Sequence, residues 1–293
     1  MSEHQPGGEG ADLALHPRET DPMATVAIAP SKPSTVQLAR WALSDSLVMT
    51  RRNLLVWMRV PAYIVFTVVQ PVIFVLLFRY VFGGAIQVAN PGGYVNFLMP
   101  GIIGQTAAFA TFATAIALAQ EAKQGVIDRL RSLPMARSAV LAGRLMADAI
   151  RMLVTITVII GVGYAVGFRF QNGVIAAIGM VLLAEAFGVT ICCISAFIGL
   201  AIRDEESVQA FGLIWLFPLT FVSSAFVPIA TMPGWMQAFA NNQPVTLVIN
   251  AMRALALGGP QFPLNPSLWQ ALLWLVGILL VFAPLAVRAY RSA

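Results

Sequence analysis

VIAAIGMVLLAEAFGVTICCISAFIGLA, residues 174–201, is a long apolar run in which Glu185 is the only charged side chain. At 1.5 Å per residue in an α-helix, the run is roughly 40 Å long, which exceeds the ~30 Å hydrocarbon core of a bilayer. The whole chain has the same character, because 58% of its 293 residues are hydrophobic and only 11% are charged. Soluble domains are about 45–50% apolar. The composition therefore indicates an all-α polytopic membrane protein.

Six segments of this kind are long enough to cross a bilayer. A spanning helix needs roughly 20 apolar residues, and its backbone polar groups must be satisfied within the helix because the hydrocarbon core holds no water. The predicted spans are about 62–82, 98–119, 145–167, 174–201, 208–229 and 268–287.

The basic residues predict the orientation of these spans. Of the 18 Lys and Arg, 13 lie at one set of helix ends, two lie in the N-terminal tail, and only Arg79, Arg169 and Arg253 lie at the opposite ends. An excess of Lys and Arg in short loops marks the cytoplasmic side. We therefore expect both termini in the cytoplasm, and we interpret the net charge of +5 as a sign of orientation rather than of a nucleic-acid partner.

Two segments precede the first span. Residues 1–34 combine charged residues with Pro and Gly and have no periodic apolar pattern, which is typical of a disordered tail. Residues 35–61 mix Leu, Val and Trp with four Arg, so they are too charged to cross a bilayer and too apolar to leave it. They are predicted to form an interfacial helix, followed by a six-helix transmembrane domain at 62–293.

The segment between the second and third spans, about 120–134, is patterned as well as basic. Apolar residues recur there at helical spacing, charged residues surround them, and Pro134 ends the pattern. This pattern predicts a short amphipathic helix on the cytosolic face. The apolar positions are Val126, Ile127, Leu130 and Leu133, and the charged ones are Glu121, Lys123, Asp128, Arg129 and Arg131.

Charged residues also mark the start of the third predicted span. Arg144, Asp148 and Arg151 stand at positions i, i+4 and i+7. That spacing places opposite charges along one helix face. We expect this part of the helix to extend below the bilayer as a charged stem.

Glu185 is the one acid that the spans place near the middle of the membrane. An ionisable group there is costly, so a functional role is the default interpretation. It could pair with a cationic cargo, or be protonated and bonded to a neighbouring helix. The third alternative is an internal partner, Arg151 or the hydroxyl of Thr155 or Thr157.

Residues 231–260 separate the fifth and sixth spans and contain two short helical pieces. Pro244 opens the second piece and Gly258 ends it. At 245–257 this piece would be about 20 Å long, too short to span. We expect both pieces, on the outer side, either to dip back into the membrane or to cap the helix bundle. The alternative for Arg253 is a cation that snorkels to the lipid headgroups.

Several kinds of site are excluded by residue types that the sequence lacks. Its only histidines are His4 and His16, so no histidine serves as a base or a metal ligand in the transmembrane domain. Its only lysines are Lys32 and Lys123, and neither stands in the phosphate-binding pattern G-x-x-x-x-G-K-[ST]. We therefore predict no catalytic site, no metal site and no cofactor site in this chain.

Three motifs together resemble the permease subunit of type-2 ABC exporters. They are RRNLLVWMRVP (51–61), LRSLPMARSAVLAGR (130–144) and GLIWLFPLTFVSSAFVPIATMPGWMQAFANNQPVTLVINAMRAL (212–255). In the last motif Pro244 is followed nine residues later by Arg253. The resemblance covers about residues 36–290 and is greatest to the daunorubicin/doxorubicin-resistance-like branch of actinobacteria.

The resemblance implies roles for three sets of residues. The loop after the second span would be a coupling helix that docks on a separate ATPase, and the stem would transmit its motion. The alternative for these arginines is to fix topology and bind lipid phosphates. The coupling candidates are Glu121, Asp128, Arg129, Arg131 and Pro134, the stem is Arg144, Asp148 and Arg151, and the exit-gate candidates are Trp235, Pro244 and Arg253.

The resemblance also implies an assembly in a bacterial cell membrane. Two ATP-binding subunits would bind ATP and Mg, and a second permease copy or a sister permease would complete the body. The expected cargo is an anthracycline-like drug or another bulky hydrophobic antibiotic, with a glycolipid or a polyketide lipid as the alternative. A proton-coupled secondary transporter is disfavoured because such carriers use several intramembrane ionisable groups, and Glu185 is nearly alone.

Overall fold

The computed structural model describes residues 35–86, 88, 92–131 and 137–292, and within these ranges the chain is helical with no β-strand. The predicted tail at 1–34 and Pro134 lie outside the described residues. The helices are α1 (Thr35–Arg59), α2 (Pro61–Leu77, followed by a π-helical turn at Phe78–Phe82), α3 (Gly93–Ala110), α4 (Phe112–Lys123), α5 (Val126–Arg131), α6 (Arg137–Ala165), α7 (Gly173–Ile202), α8 (Glu205–Phe221), α9 (Gly234–Asn242), α10 (Pro244–Leu257) and α11 (Leu264–Ser292).

Within the residues that the structure describes, four helical stretches are long and apolar enough to cross a membrane. They are Gly93–Lys123, Val140–Ala165, Gly173–Ile202 and Leu264–Tyr290, and they overlap the second, third, fourth and sixth predicted spans. An all-helical protein with several candidate membrane spans is therefore confirmed, whereas the six-span topology stays a prediction.

The first and fifth predicted spans correspond to shorter helices. The apolar part of the first is Thr67–Phe82. The fifth corresponds to α8, which ends at Phe221 rather than at the predicted 229. The backbone can leave the helix here because side chains bind the carbonyl groups that follow: Gln243 donates to the carbonyl of Val222, and Arg253 donates to the next ones.

The interior is built by α3, α7 and α10, whose buried apolar residues form one cluster. Glycines allow the backbones to approach closely. A Cβ atom on Gly199 of α7 would lie 2.2 Å from the carbonyl oxygen of Ala115 in α4. A Cβ atom on Gly101 of α3 would lie 2.0 Å from the carbonyl oxygen of Ala225, after α8. Any larger residue at these two positions would force the elements apart.

Helix α1 lies along α6. The hydroxyl of Thr50 donates to the carbonyl oxygen of Gly143 at 3.1 Å, and a Cβ atom on Gly143 would lie 2.6 Å from the carbonyl oxygen of Ser46. The rest of α1 exposes a row of large apolar side chains, as a helix that packs on one side and contacts lipid on the other would do. The interfacial position of 35–61 stays a prediction. The exposed residues include Trp41, Leu43, Leu47, Val48, Val56 and Met58.

Candidate functional site

A cavity of about 370 Å³ lies between α1, α4, α6 and α7. Small-molecule sites commonly measure about 300–1,000 Å³ and combine apolar walls with a few polar groups. This one has apolar walls and six charged side chains, and we call it the charged cavity. The charged residues are Arg52, Glu121, Arg144, Asp148, Arg151 and Glu185.

Glu121, a predicted coupling residue, lies in the wall of the charged cavity. Its Oε2 atom is 3.2 Å from Nη1 of Arg144, and its Oε1 atom is 3.9 Å from Nη2 of Arg52. The Arg144 side chain is 13% exposed and that of Arg52 is 42% exposed, so solvent screens the second pair more strongly. Glu121 therefore connects α4 to α6 and, more weakly, to α1.

Asp148 is bonded to three helices at once. The guanidinium group of Arg151 lies directly against its Oδ1 atom. Thr114 of α4 donates to Oδ2 at 2.6 Å, and the thiol of Cys192 in α7 donates to the same oxygen at 3.3 Å. This cluster holds α4, α6 and α7 together at the cavity wall.

The predicted charged stem has a different arrangement in the structure. Asp148 and Arg151 are in contact, but the carboxylate bound to Arg144 is Glu121, because α6 faces α4 at this level. All three stem residues line the charged cavity, with side chains only 11–24% exposed. A charged stem that extends below the bilayer stays a prediction.

Glu185 has both carboxylate oxygens shielded from solvent and bonded to no group in the described part of the chain. The internal partners that its position suggested are engaged elsewhere. Arg151 contacts Asp148, and the hydroxyls of Thr155 and Thr157 donate to carbonyl oxygens one turn earlier in α6, at 3.0 and 2.8 Å. The alternative of an internal partner among these three residues therefore does not hold, and Glu185 lines the charged cavity.

A second cavity, of about 200 Å³, adjoins the first. The two share Thr67, Ala110 and Ala113 in their walls. Gln70 and Gln105 line the second cavity together with aromatic side chains. The second cavity therefore adjoins the charged cavity along α2 and α3.

The predicted coupling helix is two helices rather than one. The chain leaves α4 after Lys123 and turns at Gly125, whose φ of +66° suits a residue without a Cβ atom. In α5 the side chain of Ile127 is buried and that of Arg129 is exposed. Lys123 also forms an ion pair with Asp204 at 3.3 Å. Asp128 and Arg131 belong to α5, and Pro134 lies outside the described residues.

Arg253 is fully buried, which excludes the alternative of a cation that snorkels to the lipid headgroups. Its Nε atom donates to the carbonyl oxygen of Phe97 at 2.9 Å. Its Nη1 atom donates to Ser224 Oγ at 2.9 Å and to Asn250 Oδ1 at 3.0 Å, and its Nη2 atom donates to the carbonyls of Ser224 and Ala225. The guanidinium group therefore satisfies the backbone where the chain leaves α8.

The other two exit-gate candidates have different surroundings. Trp235 is 75% exposed on α9. Pro244 is the first residue of α10, where its missing N–H group leaves no hydrogen bond unmade. A gate that includes all three residues stays a prediction.

Trp57, Thr114 and Cys192 were not predicted as site residues, although all three contribute to the charged cavity or to its Asp148 cluster. None of the three belongs to a motif or a charge pattern that would mark it in the sequence. Their proximity depends on how α1, α4 and α7 pack, which no local spacing encodes.

The comparisons with known proteins decide the family. The description "ABC-2 type transporter" belongs to the family whose profile matches residues 45–257. The chain belongs to the ABC-2 type transporter family. A daunorubicin resistance ABC transporter permease protein of Streptomyces coeruleorubidus is 34% identical over 86% of this chain and 87% of its own length. A probable doxorubicin resistance ABC transporter permease protein of Mycobacterium tuberculosis is 33% identical over 92% of this chain and 96% of its own length.

The sequence-based resemblance is therefore confirmed, and the chain is an ABC-2 type permease. The family match begins within α1 and ends at Leu257, the last residue of α10. It includes every residue of the charged cavity and of the Arg253 cluster. Both features lie inside the part of the permease that defines the family.

Proposed function

We propose that this chain is the permease subunit of an ATP-driven ABC exporter that moves a bulky hydrophobic drug, of the anthracycline type, from the cytoplasm or inner leaflet to the outside. The observation that carries the proposal is the charged cavity, a drug-sized space with mixed walls in a permease of this family. The names of the two relatives support the cargo class.

A partner supplies the energy in this proposal. Two ATP-binding subunits bind ATP and Mg, since the sequence given contains no P-loop lysine. A second permease copy or a sister permease completes the translocation path. The partner ATPase docks on α5, where Arg129 is exposed, and motion passes from α4 to α6 through Glu121 and Arg144.

The proposed topology has six spans in a bacterial cell membrane, with both termini in the cytoplasm. The 13 basic residues at one set of helix ends, against three at the other, support this orientation. The charged cavity then lies toward the cytoplasmic side, and cargo moves from it along the second cavity. Helices α9 and α10 lie near the outer exit.

The test is ATP-dependent uptake of doxorubicin into inverted membrane vesicles that contain this chain and its ATPase. We expect uptake that requires ATP hydrolysis and persists in the presence of an uncoupler. Uptake that an uncoupler abolishes while ATP is present would establish the secondary transporter instead. Vesicles that move a fluorescent glycolipid but no doxorubicin would establish the lipid exporter.

A further inference from the structure

Apart from Asp148 Oδ1, which lies against the guanidinium group of Arg151, three side chains in the wall of the charged cavity have buried polar atoms without a hydrogen-bond partner in the described part of the chain. These atoms are both carboxylate oxygens of Glu185, Nε of Arg144 and Nε1 of Trp57. Buried polar groups in native proteins are almost always paired. Their concentration in one cavity indicates that a bound molecule supplies the missing partners.

The unpaired atoms define what that molecule must offer. Glu185 supplies two acceptors, and Trp57 and Arg144 supply one N–H donor each. The other two acids of the cavity are already balanced, Glu121 by Arg144 and Arg52, and Asp148 by Arg151. Among the described residues that line the cavity, Glu185 is thus the acid without a basic partner within salt-bridge distance.

We propose that the charged cavity binds an amphipathic cation, a compound with an apolar ring system and one protonated amine, through the carboxylate of Glu185. The N–H groups of Trp57 and Arg144 donate to a carbonyl or hydroxyl oxygen of the same molecule. The apolar body packs against Ile116, Met152 and other apolar wall residues. This inference rests on the proposed export function and names its cargo-binding residues.

An anionic ligand fits the cavity less well. The basic residues Arg52, Arg144 and Arg151 each have a carboxylate within 4 Å already, so an anion would compete with Glu121 and Asp148. It would also approach the unpaired carboxylate of Glu185, and like charges in a poorly solvated site repel strongly.

A proton alone does not complete the site either. A protonated Glu185 becomes a hydrogen-bond donor and needs an acceptor. Protonation also leaves the donors of Trp57 and Arg144 unmatched. A ligand with both an ammonium group and an oxygen acceptor satisfies all three residues.

The experiment compares two probes that differ in one charge. Doxorubicin carries a protonated amine on its sugar, and N-acetyldoxorubicin has the same rings and oxygens but is neutral at that nitrogen. Binding is measured by fluorescence quenching on the full chain in nanodiscs of zwitterionic lipid, with empty nanodiscs subtracted. We expect doxorubicin to bind about tenfold more tightly than its acetyl derivative, as one charge-assisted hydrogen bond provides.

Glu185→Gln keeps the shape of the side chain and removes its charge. We expect this variant to bind doxorubicin as weakly as the wild type binds N-acetyldoxorubicin, and to leave binding of the acetyl derivative unchanged. Trp57→Phe should weaken the binding of both probes equally, because it removes an N–H donor to an oxygen that both probes carry. Glu206→Gln, an exposed acid outside the cavity, is the matched control and should change neither affinity. Thermal unfolding confirms that each variant is folded.

Three results would overturn the inference: equal affinity of the wild type for the two probes, binding of neither, or undiminished binding of doxorubicin by Glu185→Gln. The proposed export function is tested separately, by ATP-dependent uptake. ATP-dependent uptake that does not distinguish the probes leaves the function standing without this site. Charge-selective binding at Glu185 without ATP-dependent uptake leaves the site standing without the function.

Discussion

The guanidinium group of Arg253 lies 3.7 Å from the centre of the Phe97 ring, and its Nε atom donates to the backbone carbonyl of the same residue. The two residues are 156 positions apart, in α3 and α10. One side chain therefore joins α3, α10 and the segment after α8 through a cation–π contact and through hydrogen bonds to backbone carbonyls.

Replacement of Arg253 should destabilise the fold. Arg253→Ala leaves the carbonyls of Phe97, Ser224 and Ala225 buried without these donors. We expect a loss of about 3 kcal/mol or more in the free energy of unfolding. Arg253→Lys should recover only part of it because an ammonium group cannot reproduce the planar arrangement of donors. Thermal unfolding in detergent measures both, and Arg40→Lys on the exposed face of α1 is the matched control. An unchanged melting temperature for Arg253→Ala would show that the hydrogen bonds of Arg253 do not stabilise the fold.

The two ion pairs of Glu121 should differ in strength. Double-mutant cycles with Glu121→Gln should give a coupling energy of about 1–3 kcal/mol with Arg144→Gln, because that pair is 3.2 Å apart and largely shielded. The coupling with Arg52→Gln should stay below about 1 kcal/mol, because that pair is longer and more exposed. Thermal unfolding of the single and double variants supplies the energies. A larger coupling with Arg52 than with Arg144 would show that Glu121 connects α4 more strongly to α1 than to α6.

Charge reversal in α5 should separate ATP hydrolysis from export. Arg129→Glu with Arg131→Glu should lower ATP-dependent uptake of doxorubicin by roughly tenfold or more, because like charges then face the ATPase surface that the arginines are proposed to contact. Membrane insertion and the ATPase rate of the complex are measured in parallel. Arg288→Glu, an exposed residue near the end of α11, is the control for a reversed charge elsewhere. Normal export by the α5 variant would exclude this docking site.

The start of α8 should contribute stability that depends on pH. The N–H of Ser207 donates to Asp204 Oδ2 at 3.0 Å, and this bond together with Lys123 lowers the pKa of Asp204. A lowered folded-state pKa means that the stabilisation is present above the unfolded pKa of about 3.9 and is lost as the pH falls through the folded-state value.

Asp204→Asn tests this directly because it keeps an oxygen at the helix start and removes the titration. We expect a lower melting temperature than the wild type at pH 7 and convergence of the two as the pH falls below 4. A constant difference between wild type and Asp204→Asn would show that the charge of Asp204 does not contribute.

The sequence predicted the elements of this fold better than their ends. The length of the apolar segments was enough to predict four membrane spans that overlap long apolar helices of the structure. The early end of α8 was not predictable because it depends on Gln243 and Arg253, which bind carbonyl groups just after the helix from positions more than 20 residues further along the chain. The limits of α10, by contrast, were predictable. Pro244 starts this helix and Gly258 ends it, and both residues act through their own backbone conformation rather than through distant partners.

The site was predicted only in part, for the same reason. Glu185 could be recognised from the sequence because a single charged residue in a long apolar segment stands out whatever its contacts are. The spacing of Arg144 and Asp148 suggested a pair, yet the partner of Arg144 comes from α4. Spacing along one helix cannot show what the facing helix presents.

The fit of α1 into the surface of α6 at Gly143 has a mechanical consequence. With no side chain at that position, the carbonyl of Ser46 and the hydroxyl of Thr50 sit against the α6 backbone just before Arg144. The two helices interlock there, so sliding of one past the other would first have to separate them. Because both helices also line the charged cavity, any force that moves α1 would be transmitted directly to the cavity wall.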